Sequence, residues 1–350
     1  MTLLPTRRIG NTALEVSTFG MGGAPLGNLF APIVEADAQA AVQSAWDGGV
    51  RFFDTAPHYG QGLSEQRFGR ALRPMPRDDF VFATKVGRIM TPDANAPREI
   101  NNFVDGLKCK PHFDYSHDGA MRSIADSLER LQLSRIDIVF IHDIDLDTHP
   151  RDHAQQFKTA MDGAYRALMD LRAQGVIQAV GLGVNDWRVC CDAMRHGDFD
   201  CFLLAGRYTL LDQSALPELM PLCLARGTSV IVGGPYNSGV LAPAPLAAAH
   251  NASTFNYRPA SPEILARVAS LRSVAQAFGI PLAAAALQFP FGHPAVVSVI
   301  PGARSAAEVQ ANLRLAAIPI PAAYWHELKV QGLVASEAPL PTLPTQPLPE

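Results

Sequence analysis

Short apolar runs alternate with amphipathic segments along most of the chain. Residues 50–53, 80–84 and 136–141 are largely apolar, and each run has the length of a buried strand. In residues 119–131, by contrast, the apolar positions recur at helical spacing. About eight such strands alternate with helices. The pattern predicts an α/β fold, a single-domain (β/α)8 TIM barrel with an N-terminal β-hairpin and long loops after its strands.

The same two patterns, apolar runs for strands and helical spacing for helices, predict the other elements, and glycine or proline marks their ends. The remaining strands are expected over residues 18–21, 177–182, 202–205, 228–232 and 296–300, after a hairpin over residues 7–16. The remaining helices are expected over residues 35–47, 64–72, 157–172, 217–225, 262–278, 281–288 and 305–315. Ser64 is the predicted N-cap of its helix. Residues 87–118 and 242–261 show no period, and the first connection is long enough to cover a substrate.

The end of the chain differs from the rest in its proline content. We expect the barrel to occupy residues 1–335, with residues 336–350 as a separate tail. Prolines at 339, 341, 344, 347 and 349 exclude a helix or a central strand there. The tail is therefore predicted to be extended or disordered.

The composition narrows the class of partner. The chain of 350 residues is 48% hydrophobic and 18% charged, with a net charge of -4 and no run of lysine or arginine. This balance disfavours nucleic acid or an anionic membrane as the main partner. The five cysteines form no CxxC pair, and no metal site is expected. Without a signal peptide or an apolar run of about 20 residues, we expect a cytoplasmic monomer or weak homo-oligomer that binds a small molecule.

Candidate chemistry lies at the ends of three predicted strands. Asp54, Lys85 and His142 each end one of them, and Tyr59 follows on the first loop. The carboxyl ends of parallel strands converge at one end of a barrel. Lys85 is expected to lower the pKa of Tyr59, Asp54 to pair with Lys85, and His142 to orient a substrate oxygen. These four residues predict proton transfer at a substrate oxygen.

In order, spacing and context, these residues resemble the catalytic group of the aldo-keto reductases. The resemblance covers about residues 8–315 and implies a barrel that binds NAD(P)(H) in an extended pose, without a Rossmann domain. It implies that Asn185 and Asp186 contact the nicotinamide carboxamide, and that Arg304 pairs with a 2′-phosphate. The other cofactor residues it implies are Gly22, Gly234, Ser238, Gly239, Gly302 and Asn312, with Ser298 a weaker candidate.

Two positions depart from the pattern of that family. Residues 233–236 replace the tyrosine that stacks on the nicotinamide in many relatives, and Glu308 stands where many carry an arginine. Because Arg304 offers a bidentate guanidinium, we expect it to favour NADP while Glu308 turns into solvent. NAD remains the alternative, since an acid repels a 2′-phosphate.

Three segments resemble a subgroup of the family. Residues 183–187, 205–213 and 234–239 are similar to bacterial dehydrogenases of aldoses such as L-fucose, D-arabinose or L-galactose, and also to pyridoxal 4-dehydrogenase. This implies oxidation of an aldose at C1 to the lactone. Pyridoxal oxidation, general aldehyde reduction and a non-catalytic cofactor-sensing subunit are the alternatives.

Substrate contacts are expected from the loops after the strands. The candidates are His58, Trp187, Arg207 and Tyr208, of which Arg207 and Tyr208 equally suit a structural ion pair and a rim aromatic. The connection over residues 87–118 is predicted to cover the sugar with the polar residues Asn101, Asn102, Asp105, Lys108 and His112.

Overall fold

The computed structural model describes residues 3–242 and 254–342. An N-terminal hairpin, β1 (Thr6–Arg8) and β2 (Glu15–Ser17), precedes the barrel. Ile9, Leu14 and Val16 from this hairpin are buried in one cluster with barrel residues that include Phe52 and Ile138. The hairpin therefore closes the end of the barrel opposite the carboxyl ends of its strands.

The described residues form one parallel sheet of eight strands that closes on itself. Its strands are β3 (Met21–Gly22), β4 (Phe52–Asp54), β5 (Val81–Val86), β10 (Ile138–His142), β11 (Ala179–Val184), β12 (Cys201–Ala205), β13 (Ser229–Gly233) and β16 (Val296–Ile300). Parallel bridges from Phe19 to Val299 and from Gly22 to Gly302 join the first strand to the last. The predicted TIM barrel is confirmed.

Helices surround the sheet. They are α1 (Glu35–Asp47), α2 (Leu63–Leu72), α3 (His117–Leu131), α4 (His153–Thr159), α5 (Tyr165–Ala173), α6 (Trp187–Ala193), α7 (Leu219–Arg226), α8 (Pro262–Ala277), α9 (Leu282–Gln288), α10 (Ala306–Ala316) and α11 (Ala322–Val330). A π-helical turn, Ala160–Ala164, joins α4 to α5, so the helix predicted over 157–172 begins earlier. Ala164 N donates to the Tyr115 carbonyl oxygen at 2.9 Å, a bond that ties this turn to the chain before α3.

The prediction that Ser64 caps α2 is wrong. The helix begins at Leu63, and Gly62 holds the N-cap position. The Ser64 hydroxyl is fully buried, donates to the Gly23 carbonyl oxygen and accepts from Thr55 Oγ1, both at 2.8 Å. Because it faces the barrel, it links the ends of the first two barrel strands instead of the helix terminus.

The connections that show no period in the sequence contain short antiparallel hairpins. Within residues 87–118, β6 (Arg88–Pro92) pairs with β9 (Cys109–Phe113), and β7 (Glu99–Ile100) with β8 (Phe103–Val104) at the tip. A third hairpin pairs β14 (Thr254–Phe255) with β15 (Arg258–Pro259). Strands of two to five residues are too short to produce a detectable period. The rest of the loop predicted over 242–261, residues 243–253, lies outside the described residues.

The proline-rich end begins as a turn packed on the barrel, in which Ala338 N donates to the Ala335 carbonyl at 3.1 Å. Ala338 is fully buried, and the Pro339 carbonyl lies against Gly292, where a Cβ would collide with it. Lys329 Nζ donates to the Ser336 carbonyl at 2.7 Å. Residues 343–350, the rest of the predicted tail, lie outside the described part of the chain.

All five cysteines are free thiols. Within residues 3–242 and 254–342, no single helix has both the length and the apolar character needed to cross a bilayer. Helix α8 and residues 282–292 meet that test only as a pair bent by 103°.

Candidate active site

Four polar side chains meet where β4, β5 and β10 end. Lys85 Nζ lies 2.9 and 2.8 Å from the two carboxylate oxygens of Asp54 and 2.8 Å from the Thr55 carbonyl oxygen. It lies 4.8 Å from the centre of the Tyr59 ring. The His142 ring stands almost perpendicular to that of Tyr59, at 86°, with their centres 6.0 Å apart. The four residues expected to act together are therefore neighbours in the fold.

The turn after Tyr59 depends on a glycine. Gly60 has a φ of 64°, and a Cβ there would lie 2.5 Å from the Gly27 carbonyl oxygen. Only glycine combines that backbone conformation with so close an approach. The turn holds Tyr59 over Lys85, with Phe103 stacked on the tyrosine ring at 5.7 Å.

The ion pair beneath Tyr59 is withdrawn from solvent. The side chains of Lys85 and Asp54 are 1% and 3% exposed. Burial raises the pKa of Asp54, and the Lys85 ammonium opposes that rise. Since Lys85 donates to three protein oxygens, its position is fixed before any substrate binds.

The expectation that Lys85 lowers the tyrosine pKa is not met in this structure. Burial raises the pKa of Tyr59 well above the ordinary value, and the carboxylates of Asp54 and Asp143 raise it further. Asp54 offsets the charge of Lys85 because it binds the ammonium through both oxygens. Without a further cation, Tyr59 is a protonated phenol at neutral pH.

Two histidines beside Tyr59 are neutral. Burial lowers the pKa of both His58 and His142 well below the ordinary value, with Arg88 and Lys85 lowering each further. Their ring centres are 6.1 Å apart, and His58 also meets the edge of Phe103 at 5.3 Å. A neutral imidazole offers one N–H donor and one acceptor, which suits contact with a substrate oxygen.

An ion pair beside this group was missed by the sequence analysis. Arg88 Nη2 donates to Asp143 Oδ2 at 2.7 Å, and Asp143 Oδ2 lies 3.3 Å from His142 Nε2. Burial raises the pKa of Asp143 to about 6, against the opposing effect of Arg88. The sequence offered one clue to these two residues, their closeness to predicted catalytic residues. Asp143 directly follows His142, and Arg88 comes three residues after Lys85.

A cavity of about 580 Å³ opens beside Tyr59, His142, Arg88 and Asp143. Its remaining polar lining comes from side chains spread over several loops: His58, Asn101, Asn102, Thr148, Asn185, Asn256 and Arg258. Its aromatic lining includes Phe103, Phe113 and Tyr257. Among these, His58, Asn101, Asn102 and Asn185 are predicted site residues.

Three other polar residues of the 87–118 connection lie away from this cavity. Asp105 forms an exposed ion pair with Arg98 at 2.8 Å, and Lys108 Nζ donates to the Ala96 carbonyl at 3.0 Å. The exposed His112 ring lies 3.4 Å from the Thr91 hydroxyl. These side chains stabilise the hairpins instead of facing a substrate.

Three of the four predicted substrate residues do not line the cavity. Trp187 is 6% exposed and belongs to the hydrophobic core. Tyr208 is fully buried between Phe289 and His293. Packing between the sheet and the outer helices turns both aromatic rings inward, so the pocket-wall role expected of Trp187 and the rim position considered for Tyr208 are both wrong.

Arg207 lies behind the cavity wall. Its guanidinium is 3.7 Å from the Asp212 carboxylate and donates to Asn256 Oδ1 at 2.8 Å. Asn256 itself lines the cavity. Of the two roles considered for Arg207, the structure shows the ion pair. Arg207 also holds Asn256, a residue of the cavity wall, through its hydrogen bond.

A second cavity, of about 160 Å³, meets the first at Tyr59. It is a cleft whose walls include the predicted cofactor residues Gly22, Gly234, Ser238, Gly239 and Gly302, together with Asp54 and Tyr236. A Cβ at Gly302 would lie 2.6 Å from the Pro25 ring, so the backbone itself forms this wall. A narrow glycine-lined cleft that ends at a tyrosine is shaped for a flat ring such as the nicotinamide of NAD(P).

Other predicted cofactor residues have structural partners. Asp186 accepts from Arg188 N at 3.0 Å as the N-cap of α6, and Asn185 hydrogen-bonds the Asp143 carboxylate. Asn312 is buried and accepts from the Tyr236 hydroxyl at 2.7 Å. Ser298 is fully buried and donates to the Ser17 carbonyl at 2.9 Å, which removes it from the cleft.

The expectation that Glu308 turns into solvent is wrong. Glu308 Oε2 accepts from the backbone N–H of Arg304 at 2.8 Å, at the N-terminus of α10. Burial raises the pKa of this half-buried carboxyl. Arg304 Nη2 donates to the carbonyls of Ala31 and Pro32, both at 3.2 Å. A carboxylate therefore occupies part of the helix terminus that was expected to receive a phosphate.

Comparisons with known proteins agree with this geometry. The chain is 42% identical over 339 residues to the pyridoxal 4-dehydrogenase of Microbacterium luteolum, covering 94% of this chain and 98% of that protein. It is 36% identical over 325 residues to a D-threo-aldose 1-dehydrogenase from a Pseudomonas species, covering 92% and 95%.

A solved structure and a family model agree with these relatives. The aldo-keto reductase AKR11C1 from Bacillus halodurans, in its holo form, matches with a TM-score of 0.69 and 26% identity, covering 96% of this chain and 98% of that one. The model of the aldo/keto reductase family matches residues 18–330. The chain therefore belongs to the aldo/keto reductase family and is an NAD(P)-dependent oxidoreductase.

Proposed function

We propose that this enzyme oxidises an aldose at C1 to the lactone, with NAD as the hydride acceptor. The observation that carries the proposal is the place of Tyr59, which lines both the glycine-walled cleft and the polar cavity. A substrate in the cavity and a dinucleotide in the cleft meet at the tyrosine. The proton then leaves the C1 hydroxyl oxygen while the hydride leaves C1 itself.

Each residue near that junction has one task. Tyr59 removes the proton of the C1 hydroxyl, and His142, as a neutral imidazole, orients the same oxygen. Lys85 holds its ammonium at the face of the tyrosine, and Asp54 keeps that ammonium fixed and paired. When bound there, an oxidised nicotinamide would supply the hydride acceptor and add positive charge to the site.

The lining of the cavity supports a sugar as the substrate. Asn101, Asn102, Thr148, Asn256 and Arg258 surround it with donors and acceptors. A sugar has many hydroxyls and little apolar area, so its affinity depends on such groups being held in place. The relative named as a D-threo-aldose 1-dehydrogenase favours the same class.

Pyridoxal is the second candidate. The relative at 42% identity is named as a pyridoxal 4-dehydrogenase, and Phe103 and Phe113 in the cavity wall offer aromatic faces to a pyridine ring. An aldose and pyridoxal share a chemical feature, because each carries an aldehyde and a hydroxyl that close into a cyclic hemiacetal. The same proton and hydride transfer gives a lactone from either.

Glu308 supports the choice of NAD over NADP. Its carboxylate accepts from the Arg304 backbone at 2.8 Å, while the Arg304 guanidinium binds two carbonyls. A 2′-phosphate brought to this helix terminus would face a buried negative charge. We therefore set the sequence-based expectation of NADP aside in favour of NAD.

Absorbance of the reduced nicotinamide tests the proposal. Purified enzyme is assayed with NAD or NADP against L-fucose, D-arabinose, L-galactose and pyridoxal. We expect turnover of at least one sugar with NAD, and a lactone as its product. Turnover of pyridoxal alone would move the assignment to the second candidate, and reduction of simple aldehydes without sugar oxidation would overturn both.

A further inference from the structure

The proton transfer assigned to Tyr59 uses neither Arg88 nor Asp143 as a proton donor or acceptor. The side chains of this ion pair are 9% and 11% exposed, and both line the polar cavity. Burying two charges costs solvation that their mutual attraction barely offsets. A packed apolar pair would line the wall at lower cost, so the stability of the barrel does not account for this pair.

The backbone of Asp143 is left-handed, and several contacts hold it. Its φ of 48° lies in a region that aspartate and asparagine adopt more readily than other residues with a side chain. Asp143 N donates to the Gly183 carbonyl at 3.0 Å, and the Tyr115 hydroxyl lies 2.9 Å from the carbonyls of both His142 and Asp143. These contacts fix the carboxylate next to the imidazole of His142.

The pair also leaves hydrogen-bonding capacity unused. Arg88 Nε is buried, and no described residue accepts its proton. Phe113 covers the guanidinium, whose central carbon lies 4.9 Å from the ring centre. Buried donors in proteins are almost always satisfied, so the guanidinium is not arranged to satisfy the fold alone.

The distance from Asp143 to His142 indicates which substrate atom the pair would bind. Asp143 Oδ2 lies 3.3 Å from His142 Nε2. A substrate whose reacting oxygen meets His142 therefore brings the oxygen of its neighbouring carbon to the pair. In an aldose, this second oxygen is the C2 hydroxyl.

We propose that Arg88 and Asp143 together recognise the hydroxyl on the carbon next to the reacting carbon. Arg88 donates to its oxygen, and Asp143 accepts its proton. Because of this pair, the preferred substrates are 2-hydroxyaldehydes in their cyclic hemiacetal form, which carry a hydroxyl on the carbon next to the hemiacetal carbon. This inference rests on the proposed function, because it takes the reacting oxygen to lie between Tyr59 and His142.

D-arabinose and 2-deoxy-D-ribose test the inference, since they differ only in the C2 hydroxyl. We expect the wild-type kcat/KM for 2-deoxy-D-ribose to be about a hundredfold lower, because this sugar loses one hydrogen bond to each of the two charged partners. In the double variant Arg88→Met/Asp143→Asn, the ratio of kcat/KM for D-arabinose to kcat/KM for 2-deoxy-D-ribose should fall to about threefold or less. That variant leaves no unpaired buried charge, and asparagine tolerates the left-handed backbone.

A matched control comes from the same connection. Arg98→Met/Asp105→Asn removes an exposed ion pair outside the cavity and should keep the wild-type ratio. NAD affinity, measured by fluorescence, should be unchanged in both double variants and reports that each is folded. A ratio that survives Arg88→Met/Asp143→Asn would overturn the inference.

Binding without turnover separates this inference from the proposed function. The Tyr59→Phe enzyme saturated with NAD is titrated with each sugar by calorimetry. The inference is supported if D-arabinose binds more tightly than 2-deoxy-D-ribose and if adding Arg88→Met/Asp143→Asn abolishes that difference. Equal binding of both sugars overturns the inference alone, whereas binding of neither overturns the proposed function with it.

Discussion

Lys85 binds both carboxylate oxygens of Asp54, at 2.8 and 2.9 Å, with less than a twentieth of either side chain exposed. The two residues are therefore coupled in stability as well as in chemistry. We expect Lys85→Met to lower the free energy of unfolding by about 3–5 kcal/mol, because Asp54 is left buried without a cation. Urea denaturation followed by circular dichroism measures this loss.

The neutral double variant provides the control for that measurement. Asp54→Asn/Lys85→Met removes both charges and should recover much of the lost stability while the enzyme stays inactive. A double variant no more stable than Lys85→Met would show that the two charges are not the source of the effect.

Tyr59→Phe tests the proton carrier. The substitution keeps the ring that Phe103 stacks on and removes only the hydroxyl. General acid–base groups contribute about 10²- to 10⁴-fold to turnover, so kcat should fall by that factor. NAD affinity should change little. Retention of more than about a tenth of wild-type kcat would exclude the role.

The dependence of kcat/KM on pH should report two titrating groups, Tyr59 and Asp143. Because burial raises the pKa of Tyr59, the phenolate forms only at alkaline pH, and kcat/KM for oxidation should rise steadily from neutral pH upward. Asp143, with a pKa of about 6, becomes protonated below that pH and releases Arg88. Activity should therefore fall on the acidic side, and Asp143→Asn should lack that decrease while keeping the alkaline rise.

Glu308→Gln tests the choice of cofactor. The amide oxygen still accepts from the Arg304 backbone, so the helix terminus is preserved and only the charge is lost. We expect NADP to bind about tenfold more tightly, which corresponds to about 1.4 kcal/mol of like-charge repulsion removed, with NAD nearly unaffected. Glu129→Gln, at an exposed site on α3, is the control. Equal gains for both cofactors would contradict the assignment.

The tip of the 87–118 connection contributes two asparagines to the sugar cavity. Asn101 and Asn102 have φ values of 51° and 67°, which glycine adopts without strain. Asn101→Gly/Asn102→Gly should raise the KM for the sugar about tenfold through lost hydrogen bonds. Asp105→Gly, at a φ of 52° but away from the cavity, is the matched control and should leave KM unchanged.

The sequence by itself determined the barrel and the closeness of three polar strand-end residues and Tyr59. Each barrel strand is a local apolar run, and its length and period are properties of adjacent residues. Parallel strands in a barrel place their carboxyl ends together, so Asp54, Lys85 and His142 had to approach one another once the runs were recognised. Tyr59, on a short turn fixed by Gly60, had little freedom to lie elsewhere.

Only the tertiary structure decided which other side chains reach the cavity. Trp187 and Tyr208 lie close in sequence to strand ends but pack inward, because the surrounding helices cover them. Arg88 and Asp143 stand 55 positions apart, and only the closed barrel brings their charges to 2.7 Å. Glu308 binds the backbone of Arg304, a choice set by burial at the helix terminus. Local periodicity cannot encode such contacts, since the direction of a side chain depends on the elements packed against it.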